Sequence, residues 1–171
     1  LAAGAPPDCR PGEPGYISLR QLLRAPAPWA VAGRDVFVCE NPNLLAIAAD
    51  QLGARCAPLV CTDGMPAAAQ RTLLGQLVHA GARLHYHGDF DWAGIQIANH
   101  VLRTWGAQAW RFALADYTAA LADAPLARHP LADSFVEADW DAALAPAMQL
   151  HGRAIAEEAV ASRLLQDLQA L

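Results

Sequence analysis

Short apolar runs alternate with helix-like segments along most of the chain, and this alternation predicts the fold class. The predicted strands lie over 35–39, 57–61, 83–87 and 109–112. The predicted helices lie over 42–52, 66–80 and 92–105. Two of these helices open with a proline, which is favoured in a first helical turn. Alternation with short connections indicates a Rossmann-like α/β fold, in which about four parallel strands are flanked by helices.

The two ends of the chain differ from this alternating middle. Residues 1–15 are rich in proline, glycine and alanine, which predicts a linker or a disordered edge. The remainder, 16–171, is predicted to be one domain, long enough to bury its own core. After residue 116 the pattern predicts a helical C-terminal extension that ends in a long helix over 153–168. Because the chain does not begin with methionine, we expect it to be part of a longer protein.

Composition and charge limit the functions that the chain can have. No apolar run approaches the roughly 20 residues that a membrane-spanning helix needs. The net charge is −5 and all twelve basic residues are arginine, so the overall charge does not attract nucleic acid. A function on DNA would therefore depend on metal ions, a few local arginines, or another domain or subunit. The four cysteines lack metal-ligand spacing and are expected to be small buried hydrophobes, which is typical of a cytoplasmic protein.

Acidic residues follow two of the predicted strands at the point where each strand ends. Glu40 comes directly after the first strand, and Asp89 and Asp91 follow the third. In an open α/β sheet the ligand site lies at the carboxyl ends of the strands, so these carboxylates converge if strands one and three are neighbours. The strand order 2-1-3-4 is the simplest that meets this condition. Clustered carboxylates suit Mg²⁺, and the sequence therefore predicts a metal site formed by these three residues.

The spacing of the two aspartates fits such a site. In extended backbone, residues i and i+2 point the same way, so Asp89 and Asp91 can face one ion while Phe90 turns into the core. Gly88 and Gly94 are expected to let the backbone approach a ligand. The alternative is that the acids only cap the following helices, as aspartate commonly does. The glutamate after the first strand favours the metal-site interpretation over the capping alternative, because glutamate is a poor N-cap.

Longer stretches of the sequence resemble known proteins. A lone glutamate after the first strand and a DxD pair after the third resemble the toprim pattern of topoisomerases, primases and several nucleases. The stretch YHGDFDWAGIQIAN at 86–99 is similar to the aspartate motif in the A subunit of topoisomerase VI. Together with VFVCENPNLLAIAAD, PLVCTDG, the WRF and DY pieces at 110–117 and EEAVASRLLQDL, it resembles the toprim nuclease subunit of Wadjet-type anti-plasmid systems. The resemblance covers about residues 16–171.

The resemblance implies a site, an activity and partners. It implies a toprim domain in which Glu40 matches the toprim glutamate, while Asp89 and Asp91 match the pair that binds Mg²⁺ or Mn²⁺. It also implies plasmid DNA as the substrate, SMC-like ATPase subunits as partners, and an N-terminal domain of the same chain. A homodimer would explain cleavage of both strands. The expected activity is metal-dependent hydrolysis of DNA phosphodiester bonds.

A tyrosine nucleophile is the alternative to hydrolysis. Relatives of topoisomerase VI attack DNA with a tyrosine of a separate winged-helix domain, and nothing in this chain supplies that domain. Tyr16, Tyr86 and Tyr117 stand in other contexts, so we expect hydrolysis by an activated water rather than a covalent intermediate. Glu40 would bridge two ions or hold the second, or would act as an acid or base beside one ion.

Two other functions compete with the nuclease. A haloacid-dehalogenase-like phosphatase also carries DxD after a strand, but it expects threonine or valine where Ala93 stands and gives no role to Glu40. A degenerate toprim domain could act as a non-catalytic docking module, although such a module has no need of three carboxylates together. Binding of Mg²⁺ or Mn²⁺ would separate the enzymes from the docking module.

Further polar residues are candidates for the site. The possible substrate-binding residues are His87, Asn41, Asp63 and Arg111. Core packing is the alternative for His87, a turn for Asp63 and local backbone contacts for Asn41. Glu157 and Glu158 match paired glutamates of the resembled family, and Glu158 is favoured as a further metal ligand. Their alternative is an ordinary acidic first turn of a helix. The core is expected to be anchored by Trp92, Trp105 and Trp110.

Overall fold

A computed structural model of the 171-residue chain describes residues 10–25, 28–123 and 128–169. Within these ranges the chain forms the α/β fold that the alternating pattern predicts. Of the predicted linker, residues 1–9 lie outside the described residues, and residues 10–18 contain no helix or strand.

The central element is a parallel sheet of four strands. These strands are β1 (Asp35–Cys39), β2 (Leu59–Cys61), β3 (Arg83–Tyr86) and β4 (Gln108–Ala109), in the order β2-β1-β3-β4. The predicted strand order is therefore confirmed. Val38 of β1 lies opposite Val60 of β2 and Tyr86 of β3, so the carboxyl ends of these three strands meet at one edge.

Helices flank the sheet and form most of the C-terminal extension. The helices are α1 (Leu19–Arg24), α2 (Pro42–Leu52), α3 (Ala68–His79), α4 (Trp92–Trp105), α5 (Leu114–Asp123), α6 (Leu144–His151) and α7 (Ala161–Leu168). Short 3₁₀ turns lie at Gly53–Arg55 and Glu157–Val160. A two-stranded antiparallel ribbon joins β5 (Arg128–Pro130) to β6 (Arg153–Ile155). None of the described helices is both long enough and apolar enough to span a membrane.

The core forms where the strands and helices bury their apolar faces. In β1, Val36 and Val38 are fully buried, whereas Asp35 is exposed and Phe37 is half-buried, which is the alternation of a strand. Burying an aliphatic side chain of this kind contributes about 1.5 to 3 kcal/mol. Of the tryptophans that were expected to anchor the core, Trp92 and Trp110 are buried and Trp105 is half-buried.

The C-terminal segment differs most from the prediction. In place of one long helix over 153–168, the chain forms β6, the turn Glu157–Val160 and then α7. The helix prediction is wrong here because Gly152, at φ 59°, ends α6 and the next residues pair with β5. This pairing is a tertiary interaction that overrides the helical propensity of an alanine-rich segment. Neither strand of the ribbon was predicted.

Strand β3 ends one residue earlier than predicted, and strands β2 and β4 differ from their predicted bounds for local reasons. The N–H of Ala57 donates to the carbonyl of Leu168 in α7 at 2.7 Å, so the first residues of the predicted second strand turn away from the sheet. The fourth strand ends at Ala109 because Arg111 adopts a positive φ of 47°, which breaks extended backbone.

Candidate metal centre

The three predicted acids lie together at the carboxyl edge of the sheet. Glu40 directly follows β1, and Asp89 lies in the loop after the neighbouring strand β3. The N–H of Asp89 donates to Oε2 of Glu40 at 3.2 Å, so the glutamate side chain reaches across to the second loop. Asp91, two residues further on, is near enough for its charge to raise the pKa of Glu40. The structure therefore brings the predicted acidic set to one place.

Asp91 also begins α4, so the capping alternative is true of this residue. Its backbone is extended and its Oδ1 accepts the N–H of Gly94 at 2.7 Å, which is the geometry of an N-cap. Phe90, between the two aspartates, is only 1% exposed and packs against Phe112 and Tyr117. The expected inward turn of Phe90 is confirmed.

Strand β6 holds the loop that carries the two aspartates. Phe90 and Ile155 exchange backbone hydrogen bonds of 2.9 and 3.2 Å in an isolated antiparallel bridge. This bridge places the turn after β6 beside the site, where the N–H of Glu157 donates to Oδ1 of Asp89 at 2.7 Å. The C-terminal segment is therefore part of the site.

Glu157 and Glu158 take different positions in this turn. The carboxylate of Glu157 is fully buried and accepts the N–H groups of Glu40 at 3.3 Å and Asn41 at 2.7 Å. Glu158 is half-buried, and its Oε1 accepts the side-chain amides of Asn41 and Asn43 at 2.8 and 2.9 Å. The sequence favoured Glu158 as the further ligand, but Glu157 is the one that contacts the backbone of the site.

Each of the three central acids uses one oxygen for the fold and leaves the other free. Within the part of the chain that the structure describes, no hydrogen bond reaches Oε1 of Glu40, Oδ2 of Asp89 or Oδ2 of Asp91. Nor does any arginine or histidine of those residues pair with these carboxylates. Three free carboxylate oxygens without a positive partner are a donor set that suits a hard divalent cation.

The electrostatics of the cluster agree with this description. Burial, followed by the charges of Asp89 and Asp91, raises the pKa of Glu40 from 4.5 to about 7. Burial is also the main cause of the raised pKa of Asp89, with Asp91 and Glu158 adding to it. The pKa of Glu157 is raised well above its ordinary value, again mainly by burial. A bound cation would relieve this repulsion.

The acids are close together without being arranged around a common point. Among residues 10–25, 28–123 and 128–169, no three His, Cys, Asp or Glu side chains already form a cation site. The free oxygens must therefore rotate toward one another before they hold an ion. Glu40, Asp89 and Asp91 offer the donor chemistry of a divalent-cation site, but as placed their free oxygens do not share one.

Two glycines at the site have a different role from the expected one. A Cβ at Gly94 would lie 2.0 Å from the carbonyl oxygen of Asp89. A Cβ at Gly88 would lie 2.7 Å from Oε2 of Glu40 and 3.1 Å from the hydroxyl of Tyr86. Both glycines therefore make room for the protein's own atoms, rather than for an approaching ligand as the sequence suggested.

His87 and Arg111 do not reach the acidic cluster. His87 is completely buried, and its Nδ1 hydrogen-bonds the carbonyl of Trp110 at 2.9 Å, so the core-packing alternative describes its place in this structure. Burial lowers the pKa of His87 to about 4, which keeps the ring neutral. Arg111 forms a bidentate ion pair with Asp167, with N···O distances of 2.6 and 2.7 Å. It therefore does not pair with a carboxylate of the acidic cluster.

Asn41 and Asp63 border the site in structural roles. Oδ1 of Asn41 caps α2 by accepting the N–H of Asn43 at 3.0 Å. Asp63 is exposed at the end of β2 and adopts a positive φ of 53°, beside Gly64 in the same turn. The turn and local-backbone alternatives therefore describe these two residues, with only Asp63 left open to solvent.

A groove of about 420 Å³ opens beside Asp89 and Asp91. One wall is the start of α4, with Trp92 and Ala93, and the other is the β5–β6 ribbon, including His129. The remaining lining residues are Pro130, Ala132, Ser134, Ala154, Ile155 and Ala156. The groove is large enough for a small ligand, and its lining is mostly apolar.

Sequence reasoning missed two residues of the site. Glu157 was ranked below Glu158, and its burial beside the site follows the strand β6, which was not predicted. Tyr86 was considered only as a nucleophile, yet its hydroxyl is buried close to Glu40. The strict alternation of β3 was the one signal available, since it places Tyr86 on the same face as the buried Leu84.

Fold and site together define the chain as a toprim-like, Rossmann-like α/β domain with an acidic cluster at the carboxyl edge of its sheet. The chain belongs to the family described as Protein of unknown function C-terminus (DUF2399), whose model matches residues 15–168. The chain matches no curated protein and no solved structure.

Proposed function

We propose that this chain is a toprim-type nuclease domain that hydrolyses DNA phosphodiester bonds with Mg²⁺ or Mn²⁺. One observation carries the proposal: Glu40, Asp89 and Asp91 converge at the carboxyl edge of the sheet, each with one oxygen free. Their charges are not balanced by any basic side chain of the described residues. A protein keeps such a cluster at a cost to its stability, which a bound cation offsets.

The residues of the cluster have separate roles in this proposal. A bound divalent ion would polarise the scissile phosphate and offset the charge that develops during displacement. Asp89 and Asp91 would hold the ion with the carboxylate oxygens that are free, while their Oδ1 atoms accept the backbone N–H groups that keep the loop and α4 in place. Glu40 has Oε1 free, and this oxygen can share the ion or exchange a proton with the attacking or leaving oxygen.

The groove beside the aspartates gives the substrate strand a place to lie. Its apolar walls, formed by Ala93, Ile155 and the residues around them, suit the sugar and base of a nucleotide whose phosphate meets the acids. Among the residues that line the groove there is one histidine, His129, and no arginine. The groove by itself therefore provides little of the positive charge that normally holds DNA phosphates.

Hydrolysis is favoured over attack by a tyrosine. Tyr86 and Tyr117 are both completely buried, and the hydroxyl of Tyr117 donates to the carbonyl of Arg153 at 2.7 Å. Neither can reach a phosphodiester in this fold. Tyr16 is exposed, but it lies ahead of α1 and no contact among the described residues joins it to the acidic cluster. We therefore propose an activated water as the nucleophile.

The wider setting that we propose is a Wadjet-type anti-plasmid system, in which this domain is the nuclease subunit. The motifs resembling that family include all three acids of the cluster. With a net charge of −5, the chain needs other positive surfaces to hold DNA. We propose that these come from an N-terminal domain of the same protein, from SMC-like ATPase subunits, and from a second copy in a homodimer.

Cleavage of supercoiled plasmid by the full-length protein with its ATPase partners tests the proposal. The informative variants are Glu40→Gln, Asp89→Asn and Asp91→Asn, since each amide keeps the oxygen that accepts a backbone N–H. Asp91→Ala is less suitable, because losing the N-cap costs about 1 kcal/mol by itself.

We expect each amide variant to lower the cleavage rate at least about 100-fold, as is typical when a group that stabilises transition-state charge is removed. Asp35→Asn is the matched control, because Asp35 begins β1 and pairs with Arg83 at the opposite edge of the sheet. Cleavage that persists in all three amide variants would place the nuclease elsewhere and leave this domain as a docking module.

A further inference from the structure

Tyr86 carries a buried hydroxyl that the fold does not use. The side chain is completely buried at the end of β3, and its hydroxyl oxygen has no hydrogen-bond partner among the described residues. Buried polar groups are almost always paired, so an unpaired phenol beside a candidate site needs an explanation. Packing alone does not provide one, because phenylalanine would fill the same space without the unpaired group.

The hydroxyl faces the side chain of Glu40 across Gly88. A Cβ at Gly88 would lie 3.1 Å from the Tyr86 hydroxyl and 2.7 Å from Oε2 of Glu40, so both atoms border the same small volume. That volume is open only because residue 88 is glycine. Pairing of Val38 with Tyr86 between β1 and β3 fixes the two side chains in this relation.

Thr62 is the other polar side chain near the phenol. Its hydroxyl is buried and donates to the carbonyl of Cys39 at 3.3 Å, so its proton is already in use. Thr62 is close enough for its side chain to act against the raised pKa of Tyr86, but no hydrogen bond of good geometry joins the two hydroxyls. Glu40, in contrast, has an Oε1 without a partner among the described residues and an Oε2 held only by the N–H of Asp89 at 3.2 Å.

We propose that Tyr86 is a positioning residue whose hydroxyl donates to the carboxylate of Glu40 when the site binds a divalent cation. The inference rests on the proposed function, because it assigns Glu40 to the metal. A carboxylate must turn to meet an ion, and a fixed donor on its other side holds it in that orientation. In the metal-free protein the phenol has no partner, because the carboxylate of Glu40 comes within hydrogen-bonding distance only after it rotates toward the ion.

The test measures Mn²⁺ binding to the full chain by the loss of the free-ion EPR signal, together with thermal unfolding in EDTA. In Tyr86→Phe the ring stays and the hydroxyl goes. We expect the Mn²⁺ dissociation constant to rise about 10-fold, as is found when a hydrogen bond to a ligating carboxylate is removed. The melting temperature in EDTA should stay the same or rise, because an unpaired buried hydroxyl has been removed.

Tyr117→Phe is the matched control. Tyr117 is equally buried, but its hydroxyl donates to the carbonyl of Arg153 at 2.7 Å. This variant should melt at a lower temperature and bind Mn²⁺ as the wild type does. In a Glu40→Gln background, Tyr86→Phe should cause no further loss of affinity, because residue 40 then no longer supplies a charged ligand whose orientation matters.

The outcomes separate this inference from the proposed function. A wild-type protein that binds no Mn²⁺ would overturn both. A wild-type protein that binds Mn²⁺ and a Tyr86→Phe variant that binds it equally well would overturn only the role of Tyr86. A lower melting temperature of Tyr86→Phe with unchanged affinity would likewise overturn it, by assigning the hydroxyl to a structural contact with Thr62.

Discussion

The backbone N–H of Glu157 donates to Oδ1 of Asp89 at 2.7 Å, across 68 residues of sequence. The carboxylate of Glu157 in turn accepts the N–H groups of Glu40 and Asn41. One residue of the C-terminal segment thereby links the ends of β1 and β3, the two strands that carry the acids. The candidate metal centre is therefore held together by contacts that only the complete domain can form.

Replacing Glu157 should destabilise the fold far more than replacing its neighbour. Glu157→Ala leaves two part-buried N–H groups without an acceptor, at about 1 to 3 kcal/mol each, and we expect a total loss of roughly 2 to 5 kcal/mol. Glu158→Ala removes contacts with two asparagine side chains only, and should cost less than about 1 kcal/mol. Urea unfolding measures both, and equal losses would show that the buried carboxylate does not support the site.

Divalent cations should stabilise the folded chain through the acidic cluster. At ten times its dissociation constant a ligand adds about 1.4 kcal/mol, which raises the melting temperature of a domain this size by roughly 3 to 6 °C. Asp89→Asn should abolish the rise while keeping the acceptor for Glu157. Asp35→Asn should keep the rise, because Asp35 lies at the opposite edge. A rise that survives in Asp89→Asn would assign the ion to another site.

Without metal, the contribution of Glu40 to the stability of the protein should fall as the pH rises. The pKa of Glu40 is raised from 4.5 to about 7, so folding takes up a proton between these values. The stability provided by the protonated carboxyl is present below pH 4.5 and is lost as the pH rises through 7. In Glu40→Gln the side chain at position 40 cannot ionise. The melting temperature of this variant in EDTA, relative to that of the wild type, should therefore increase from pH 5 to pH 8. A constant difference over this range would contradict the raised pKa.

Phe90 should be a core residue in spite of its place between two site residues. Its ring lies 4.8 Å from that of Phe112 and 5.4 Å from that of Tyr117. Phe90→Ala should cost about 3 to 5 kcal/mol in unfolding free energy. Phe135, which is 45% exposed, is the control, and its replacement by alanine should cost less than about 1 kcal/mol. Similar losses in chemical denaturation would refute the inward placement of Phe90.

The strand order and the meeting of the acids could be predicted because local patterns determine them. Apolar runs such as 35–39 fix the strands, and the residue directly after each strand must lie at the carboxyl edge. Once the strands that carry Glu40 and Asp89 are adjacent, the position of the site follows. Alternation in extended backbone placed Phe90 in the core, because Asp89 and Asp91 on either side of it were expected to face one ion.

The contacts that complete the site depend on pairing between distant segments. The pattern over 153–168 favoured a helix, whereas β6 forms because it pairs with β5 and bridges to Phe90. Without that strand, the burial of Glu157 could not be foreseen. His87 was placed beside the substrate because of its neighbour in sequence, but the strand turns its side chain toward Trp110.

The most direct test of the proposed metal centre is an anomalous difference map from a crystal of this domain soaked in Mn²⁺. The account predicts one or two peaks at the carboxyl edge of the sheet, within about 2.0 to 2.3 Å of oxygens from Glu40 and from Asp89 or Asp91. In the same map, Oδ1 of Asp89 should still accept the N–H of Glu157. A map at millimolar Mn²⁺ with no peak at this edge, or with peaks only elsewhere, would contradict the account.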